Sequence, residues 1–338
     1  MTKIALQQDR PLDAIVLGRA GVDLYAREAN TDMADISGFN KFVGGSAANI
    51  AVAVNKLGGK VGFIGCVAED AFGGYVKGYM SGLGINLDGM MTDSSGSRTS
   101  VAFTEMKPSD CTVLIYRNKV SDLTLKPEQI SQAYIASSKV LVVTGTALSE
   151  SPSREATLLA MEYARRSNTV VVLDVDYRPY SWRTDVDASI YYGIAAGLSD
   201  IVIGNREEFD MMETVIAPGN KDDDATAARF MRANTQVVVI KAGELGSKVY
   251  CRDGHSFQQG IFRVKVNKPF GSGDSFAGGL IWTLVNGGTL EDGVKHGSAA
   301  AAINVSGTSC TEQCQPERSC STLSKPVSNL LTTLSSPP

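Results

Sequence analysis

The chain has 338 residues, of which 43% are hydrophobic and 20% charged, and its formal net charge is −4. This composition suits a globular protein with a large core, and the lack of any long lysine and arginine block disfavours a nucleic-acid partner or an anionic membrane surface. Small-molecule chemistry is therefore the expected class of function.

Short, nearly continuous apolar runs recur along the chain and predict strands that are buried on both faces. They are Ala14–Leu17, Lys60–Ile64, Val140–Val143, Val170–Leu173, Ile201–Ile203 and Val237–Ile240. Helical patterns lie between them, over Ala47–Lys56, Ser153–Arg166, Ala225–Ala233 and Ser275–Asn286. This alternation predicts an α/β fold with a doubly wound, mostly parallel sheet flanked by helices.

Two stretches, from about residue 22 to 43 and from about 98 to 118, instead alternate polar and apolar residues. Such alternation predicts strands with one exposed face. Because both stretches return to the α/β body, we expect a small β lid that excludes water from a site below it. An apolar outer face on this lid could pair two copies of the chain in a homodimer.

The ends of the chain carry little sequence signal. Residues 1–10 lack an apolar signal core, and no apolar run is long enough to span a bilayer, so we expect a cytoplasmic protein without a membrane partner. Residues 319–338 are rich in Ser, Thr and Pro and are expected to form a loosely ordered tail behind a single domain over 10–318.

Three of the six cysteines, Cys310, Cys314 and Cys320, lie close together in the sequence. They lack the paired Cys-x-x-Cys spacing of a zinc site. We expect buried or idle thiols here, and a metal site or disulfide is the alternative.

The strongest local signal is the segment Lys268–Gly279, which contains Gly271-Ser272-Gly273-Asp274. Small residues at 271–273 let the backbone approach an anion, and a helix that follows them directs unpaired amides toward it. A carboxylate at this helix start can accept a proton from a hydroxyl, which makes Asp274 a candidate base. The alternative is that Asp274 is a simple helix N-cap.

Neither standard nucleotide-binding signature is present in the sequence. There is no Gly-x4-Gly-Lys-Ser/Thr loop, and Phe276 occupies the third glycine position of a Gly-x-Gly-x-x-Gly pattern. P-loop enzymes and Rossmann dehydrogenases are therefore disfavoured.

From about residue 12 to 310 the chain resembles the ribokinase, or PfkB, family of carbohydrate kinases. Four motifs match in the family's order: Gly44–Asn49 with Gly21–Asp23 upstream of it, Asn205–Glu208, Lys241–Ser247 and Gly271–Asp274. The resemblance implies a ribokinase-like fold, ATP as phosphoryl donor and Mg²⁺ on the phosphates. It also implies activation by a monovalent cation such as K⁺, for which the backbone around Ser306–Cys310 is the candidate site.

The resemblance also implies roles for individual residues. The residues expected to hold the sugar are Asp23, Gly44, Gly45 and Asn49. Those expected beside ATP are Asn205, Lys241, Gly243, Gly246 and Ser298, the last replacing a frequent Asn. Glu208 would order magnesium, and Asp274 would be the base beside the amides of Gly271, Ser272 and Gly273. Glu208 as an ordinary first-turn acid and 241–247 as a ligand-free glycine hairpin remain alternatives.

The segment Asp174–Trp182 resembles one found in kinases of keto-deoxy sugar acids and in some fructokinases. Arg178 would contact a substrate carboxylate or the transferred phosphate, or it pairs structurally with a neighbouring aspartate. Arg98 and Lys41 are further candidates for an acidic substrate. Finer similarities favour a kinase of myo-inositol catabolism that phosphorylates a dehydro-deoxy sugar acid at its 6-hydroxyl. A 2-keto-3-deoxygluconate kinase, a fructokinase and a catalytically silent sugar-binding regulator are the alternatives.

Overall fold

The computed structural model describes residues 3–307 and residue 310. The predicted tail over 319–338, together with Cys314 and Cys320, lies outside these residues. The strands are β1 (Leu12–Leu17), β2 (Gly21–Ala29), β3 (Phe39–Gly44), β4 (Val61–Ala68), β5 (Asn86–Asp93), β6 (Val101–Met106), β7 (Val113–Tyr116), β8 (Ser138–Thr144), β9 (Val170–Asp174), β10 (Ile201–Asn205), β11 (Val237–Lys241), β12 (Ser247–Cys251) and β13 (Ser256–Gln259).

Nine of these strands form one large sheet in the order β13-β12-β11-β10-β9-β8-β1-β4-β5. The seven strands from β11 to β5 run parallel, and β12 and β13 extend the sheet as an antiparallel edge. This confirms the predicted α/β class. After β1 the chain builds one side of the sheet with β4 and β5, and it then builds the other side from β8 onward. Ligands of such sheets bind outside the carboxyl ends of the strands near this reversal.

The helices are α1 (Ser46–Lys56), α2 (Ala71–Gly82), α3 (Gln132–Ala136), α4 (Ser153–Arg166), α5 (Asp185–Gly197), α6 (Arg206–Met212), α7 (Asp223–Phe230), α8 (Ser272–Val285) and α9 (Leu290–Ser306). They cover both faces of the sheet, so the core has two apolar layers. Ala14 and Val16 belong to the layer that includes α1 and α8, and Ile15 and Leu17 belong to the opposite layer. In the described chain, no helix has both the length and the apolarity needed to cross a membrane.

The two alternating stretches of the sequence form a separate four-stranded sheet in the order β3-β2-β6-β7. Strand β2 pairs antiparallel with β3 and parallel with β6. Its residues alternate between two faces, so Asp23 and Tyr25 point to one side and Leu24 to the other. Edge strand β7 exposes Val113, Leu114 and Tyr116.

Helix α8 begins at Ser272, three residues earlier than the pattern of apolar residues indicates. The reason is Gly271, whose left-handed backbone (φ 79°) turns the chain directly into the helix. Gly271 is the N-cap residue and Asp274 lies in the first turn, so the alternative interpretation of Asp274 as a simple N-cap is wrong.

Candidate functional site

The polar residues of the candidate site follow the carboxyl ends of the parallel strands. Asp174 ends β9, Asn205 ends β10 and Lys241 ends β11, while Arg19 lies just beyond β1. Parallel strands end at a common edge of the sheet, so residues far apart in sequence converge there. The first turns of α1 and α8 meet at the same edge.

Asp274 is joined to the first turn of α1 by a hydrogen bond from Asn49 Nδ2 to its Oδ2, at 2.7 Å. Burial, reinforced by the nearby carboxylates of Asp176 and Asp174, raises the pKa of Asp274 to about 7. A carboxyl group with a pKa near 7 can exchange a proton with a hydroxyl at neutral pH, as general bases do.

Asp23 is a buried carboxyl on the inner face of β2. It accepts a hydrogen bond from the Tyr25 hydroxyl at 3.1 Å, and burial raises its pKa. A Cβ atom on Gly44 would lie 2.0 Å from the carboxyl carbon of Asp23, and one on Gly45 would lie 2.4 Å from the Arg19 carbonyl oxygen. The two glycines therefore allow the start of α1 to pack directly against β2 and the end of β1.

Asp176 and Arg178 form an ion pair, with 2.6 Å between Asp176 Oδ1 and Arg178 Nη2. The second carboxylate oxygen of Asp176 accepts a hydrogen bond from the Ser46 hydroxyl at the start of α1. Asp176 raises the pKa of Arg178, which keeps the guanidinium charged. The structural pairing of Arg178 with a neighbouring aspartate, Asp176, is thus observed, although 43% of the Arg178 side chain remains exposed and can contact a ligand.

Lys241 lies between Asp174 and the glycine turn of α8. Its Nζ is 3.5 Å from Asp174 Oδ1 and 3.2 Å from the position that a Cβ on Gly273 would occupy. Burial alone would lower the pKa of Lys241, but the carboxylates of Asp174, Glu208 and Asp274 raise it, so its ammonium is charged. A fixed cation therefore lies beside the amides at the start of α8.

Glu208 forms a capping box with Asn205 at the start of α6. Its Oε2 accepts the Asn205 amide at 2.7 Å and its Oε1 accepts the Tyr177 amide at 3.1 Å. No three His, Cys, Asp or Glu side chains converge into a metal cage in residues 3–307 and 310. The arrangement fits Mg²⁺, which keeps several waters and is held largely by substrate phosphates, because each carboxylate oxygen of Glu208 retains a lone pair for a metal-bound water.

A buried lysine supports the chain just before the glycine turn. Lys268 is fully buried, and its Nζ donates to the Phe270 carbonyl at 3.0 Å, to Asn304 Oδ1 at 2.6 Å and to Cys310 Sγ at 3.4 Å. Burial raises the pKa of Cys310 to about 11, so the thiol is protonated at neutral pH. These bonds place Gly271 in the positive-φ conformation that α8 requires.

We expect Gly271→Ala to destabilise the protein and to reduce activity. A Cβ at position 271 would lie 2.2 Å from Cys310 Sγ, and the backbone φ of 79° is strained for alanine. A thermal melt should show a decrease of several degrees. Adding Cys310→Ala removes the sulfur and should restore part of the loss, whereas a double variant as unstable as the single one would contradict the steric explanation.

Other predicted residues lie at the margin of this cluster or outside it. Gly243 and Gly246 form the tight turn between β11 and β12, where Gly246 has a φ of 87° and packs on the Gln259 carbonyl. Ser298 is buried on α9, where the neighbouring Gly297 packs against Phe276 of α8.

Arg98 is exposed in a groove lined by Leu24, Val101 and Phe103. Leu24 points away from Asp23, so this groove lies on the opposite face of β2 from the site. The structure therefore does not bring Arg98 together with Asp23. The exposed Lys41 packs its ammonium 4.0 Å from the centroid of the Tyr75 ring.

The sequence motifs did not single out Arg19, Asp176 or Lys268 as site residues. Arg19 lies within a segment that resembles the family, but a single arginine carries no spacing signal. Lys268 precedes the glycine turn as an ordinary lysine, and only its complete burial shows what it supports.

Comparisons with known proteins agree with this geometry. A model of the pfkB family of carbohydrate kinases matches residues 12–318. A 5-dehydro-2-deoxygluconokinase of Photobacterium profundum is 91% identical over 312 residues, covering 92% of this chain and 94% of that protein. A protein of the same name from Bacillus thuringiensis is 46% identical over 313 residues, with the same two coverages. A fructokinase from Xylella fastidiosa with bound ATP superposes with a TM-score of 0.79 at 22% identity, covering 89% of this chain and 94% of that structure.

Proposed function

Because the chain belongs to the pfkB family of carbohydrate kinases, we propose that it is an ATP-dependent 5-dehydro-2-deoxygluconokinase. In this proposal the enzyme phosphorylates the 6-hydroxyl of 5-dehydro-2-deoxy-D-gluconate, which is a step of myo-inositol catabolism. The 91% identical relative of that name supports the substrate. The observation that carries the chemistry is Asp274, a buried carboxyl with a raised pKa in the first turn of α8, directly after the glycine turn. We further propose residues 10–318 as the kinase domain.

In this proposal Asp274 is the general base. The 6-hydroxyl gives its proton to a carboxylate oxygen of Asp274 while its oxygen attacks the γ-phosphorus of ATP, and ADP leaves on the opposite side. The amides of Gly271, Ser272 and Gly273 and the ammonium of Lys241 stabilise the charge on the transferred phosphoryl oxygens. Asn49 orients the Asp274 carboxylate through its 2.7 Å hydrogen bond.

The sugar would bind between β2 and the start of α1, where Asp23 and the backbone of Gly44 and Gly45 face the same space as Asn49. ATP would lie along the ends of β10 and β11, beside Asn205 and the turn of Gly243 and Gly246, with Ser298 near the base. Arg178, half-exposed and near Asp274, would contact the transferred phosphate.

Two ions belong to the proposal. Mg²⁺ would neutralise charge on the phosphates, and Glu208 would hold its water shell. The proposed monovalent cation site around Ser306–Cys310 includes residues 308 and 309, which lie outside the described residues.

A cytoplasmic location and a homodimer through the apolar lid strand β7 remain further proposals. Val113, Leu114 and Tyr116 would form the dimer contact.

The pKa of Asp274 predicts how activity depends on pH. The base must be deprotonated to accept a proton, and its pKa in the free enzyme is about 7. We expect kcat/KM for the sugar acid to rise about tenfold per pH unit below pH 7 and to level off above it. A steady-state profile from pH 5.5 to 8.5 measures this. A profile that is flat between pH 5.5 and 7 would contradict a base with this pKa.

The substrate assignment is tested by coupled ADP release with 5-dehydro-2-deoxygluconate, 2-keto-3-deoxygluconate and fructose. We expect kcat/KM to be highest for the first acid, with a product that carries phosphate on its 6-oxygen. Equal turnover of fructose would overturn the substrate assignment. No turnover of any of the three would instead favour a silent sugar-binding regulator.

A further inference from the structure

Arg19 is a buried arginine whose guanidinium is only partly satisfied by contacts within the described chain. It follows β1, which lies between β8 and β4 in the large sheet, and is only 8% exposed. Its Nη1 is shielded from solvent and has no hydrogen-bond acceptor among the described residues, although the carboxyl group of Asp23 is near enough to interact with its charge. A buried N–H donor without an acceptor is unfavourable, so it signals a ligand that provides one.

Arg117 shows how a buried arginine is otherwise satisfied in this protein. Its guanidinium pairs with Asp122 at 2.6 Å and also donates to the Ser181 hydroxyl at 3.0 Å and to the Thr146 carbonyl at 2.9 Å. The ion pair and the two hydrogen bonds satisfy the buried guanidinium, so Arg117 has a structural role. They offer no equivalent explanation for Arg19.

Arg19 is held at the sugar end of the site. Its carbonyl accepts the Ala48 amide at 3.3 Å, which fixes its backbone against the first turn of α1, the turn that carries Asn49. Burial raises the pKa values of Asp23 and Tyr180, and the positive charge of Arg19 opposes both of these shifts. The guanidinium is therefore close enough to Asp23 and Tyr180 to act on both electrostatically.

We propose that Arg19 binds the carboxylate of the substrate and that this contact selects sugar acids over neutral sugars; the inference rests on the proposed function. A guanidinium presents two parallel N–H donors that match a carboxylate, and the ligand would supply the acceptor that Nη1 lacks. A neutral sugar would leave this donor without a charged acceptor and would bind more weakly for that reason.

The other arginines named from sequence are less suited to this role. Arg178 already has a counter-charge in Asp176 and acts on Asp274 at the phosphoryl-transfer end. Arg98 lies on the opposite face of β2. The two ends of the site therefore have different functions. Arg19 recognises the substrate carboxylate near the end of β1, and phosphoryl transfer takes place at the start of α8.

The test is Arg19→Met, with Arg117→Met as a matched control. We expect Arg19→Met to raise KM for 5-dehydro-2-deoxygluconate at least about 100-fold while KM for ATP changes less than about twofold. Its kcat/KM ratio between the acid and fructose should fall by a similar factor. Without ligand, Arg19→Met should melt at a higher temperature than the wild type, because a buried donor without an acceptor is gone, whereas Arg117→Met should melt lower. The acid should raise the melting temperature of the wild type but not of Arg19→Met.

The outcomes separate this inference from the proposed function. If the wild type phosphorylates the acid and Arg19→Met retains its KM, Arg19 is not the carboxylate ligand. A higher KM for ATP in Arg19→Met would assign the residue to phosphate and overturn the inference, as would a lower melting temperature without ligand. A wild type that turns over fructose but not the acid would overturn the proposed substrate, and the carboxylate role with it.

Discussion

Asp274→Asn should abolish most phosphoryl transfer, lowering kcat by about 10²- to 10⁴-fold, the usual contribution of a general base. Asparagine has nearly the same shape and can still accept the hydrogen bond from Asn49, but it cannot take a proton. Binding of ATP and of the sugar acid should change by less than a few-fold. Single-turnover phosphorylation measures the chemistry, and calorimetry measures the two affinities.

The same variant should be more stable than the wild type at alkaline pH. The pKa of Asp274 is about 7 in the folded protein, above its ordinary value, so the folded state binds the proton more tightly than the unfolded state. Its contribution to stability is present at pH 4 and is lost as the pH rises through 7. The melting temperature of Asp274→Asn should therefore exceed that of the wild type at pH 8, and the excess should shrink toward pH 4. Full activity in Asp274→Asn would refute the assignment of Asp274 as the base. A lower melting temperature than the wild type at pH 8 would refute the conclusion that ionised Asp274 destabilises the folded protein.

Lys241→Met should lower kcat by about 10²- to 10³-fold, a loss typical of removing one preorganised group that stabilises transition-state charge. The ammonium lies beside Gly273 and Asp174, and methionine fills similar space without charge. Charge on the phosphoryl oxygens grows toward the transition state, so kcat should fall more than KM for ATP rises. Loss of the cation should also raise the pKa of Asp174 further above its value of about 7.

Lys248→Met is the matched control for this loss. Lys248 is paired with Ile240 in the neighbouring strand, and its half-exposed ammonium pairs with Asp223 at 2.7 Å. Surface ion pairs contribute little, so this variant should keep its activity within about twofold. If both variants lose activity equally, the effect belongs to the β11–β12 hairpin and not to the Lys241 charge. A higher KM for ATP with unchanged kcat in Lys241→Met would show that Lys241 binds ATP but does not stabilise the transition state.

The sequence alone determined the features that depend on local pattern. Continuous apolar runs at positions such as Val140–Val143 and Val170–Leu173 predict buried parallel strands, because a strand covered on both faces has no polar side. The glycines before Asp274 predict a close approach of backbone to an anion, because only small residues permit it. These signals were sufficient for the α/β class and for the family resemblance.

Only the tertiary structure decided which residues meet. Asn49 and Asp274 are 225 positions apart in sequence, and they bond because α1 packs beside α8 on one face of the sheet. The tertiary structure also buries Nη1 of Arg19 without an acceptor among the described residues and keeps Arg98 on the far face of β2. Periodicity reports which face of its own element a residue occupies, but burial and charge pairing depend on neighbours that the sheet order brings from elsewhere in the chain. The base could therefore be predicted from its motif, whereas the unsatisfied donor of Arg19 became visible only in the folded protein.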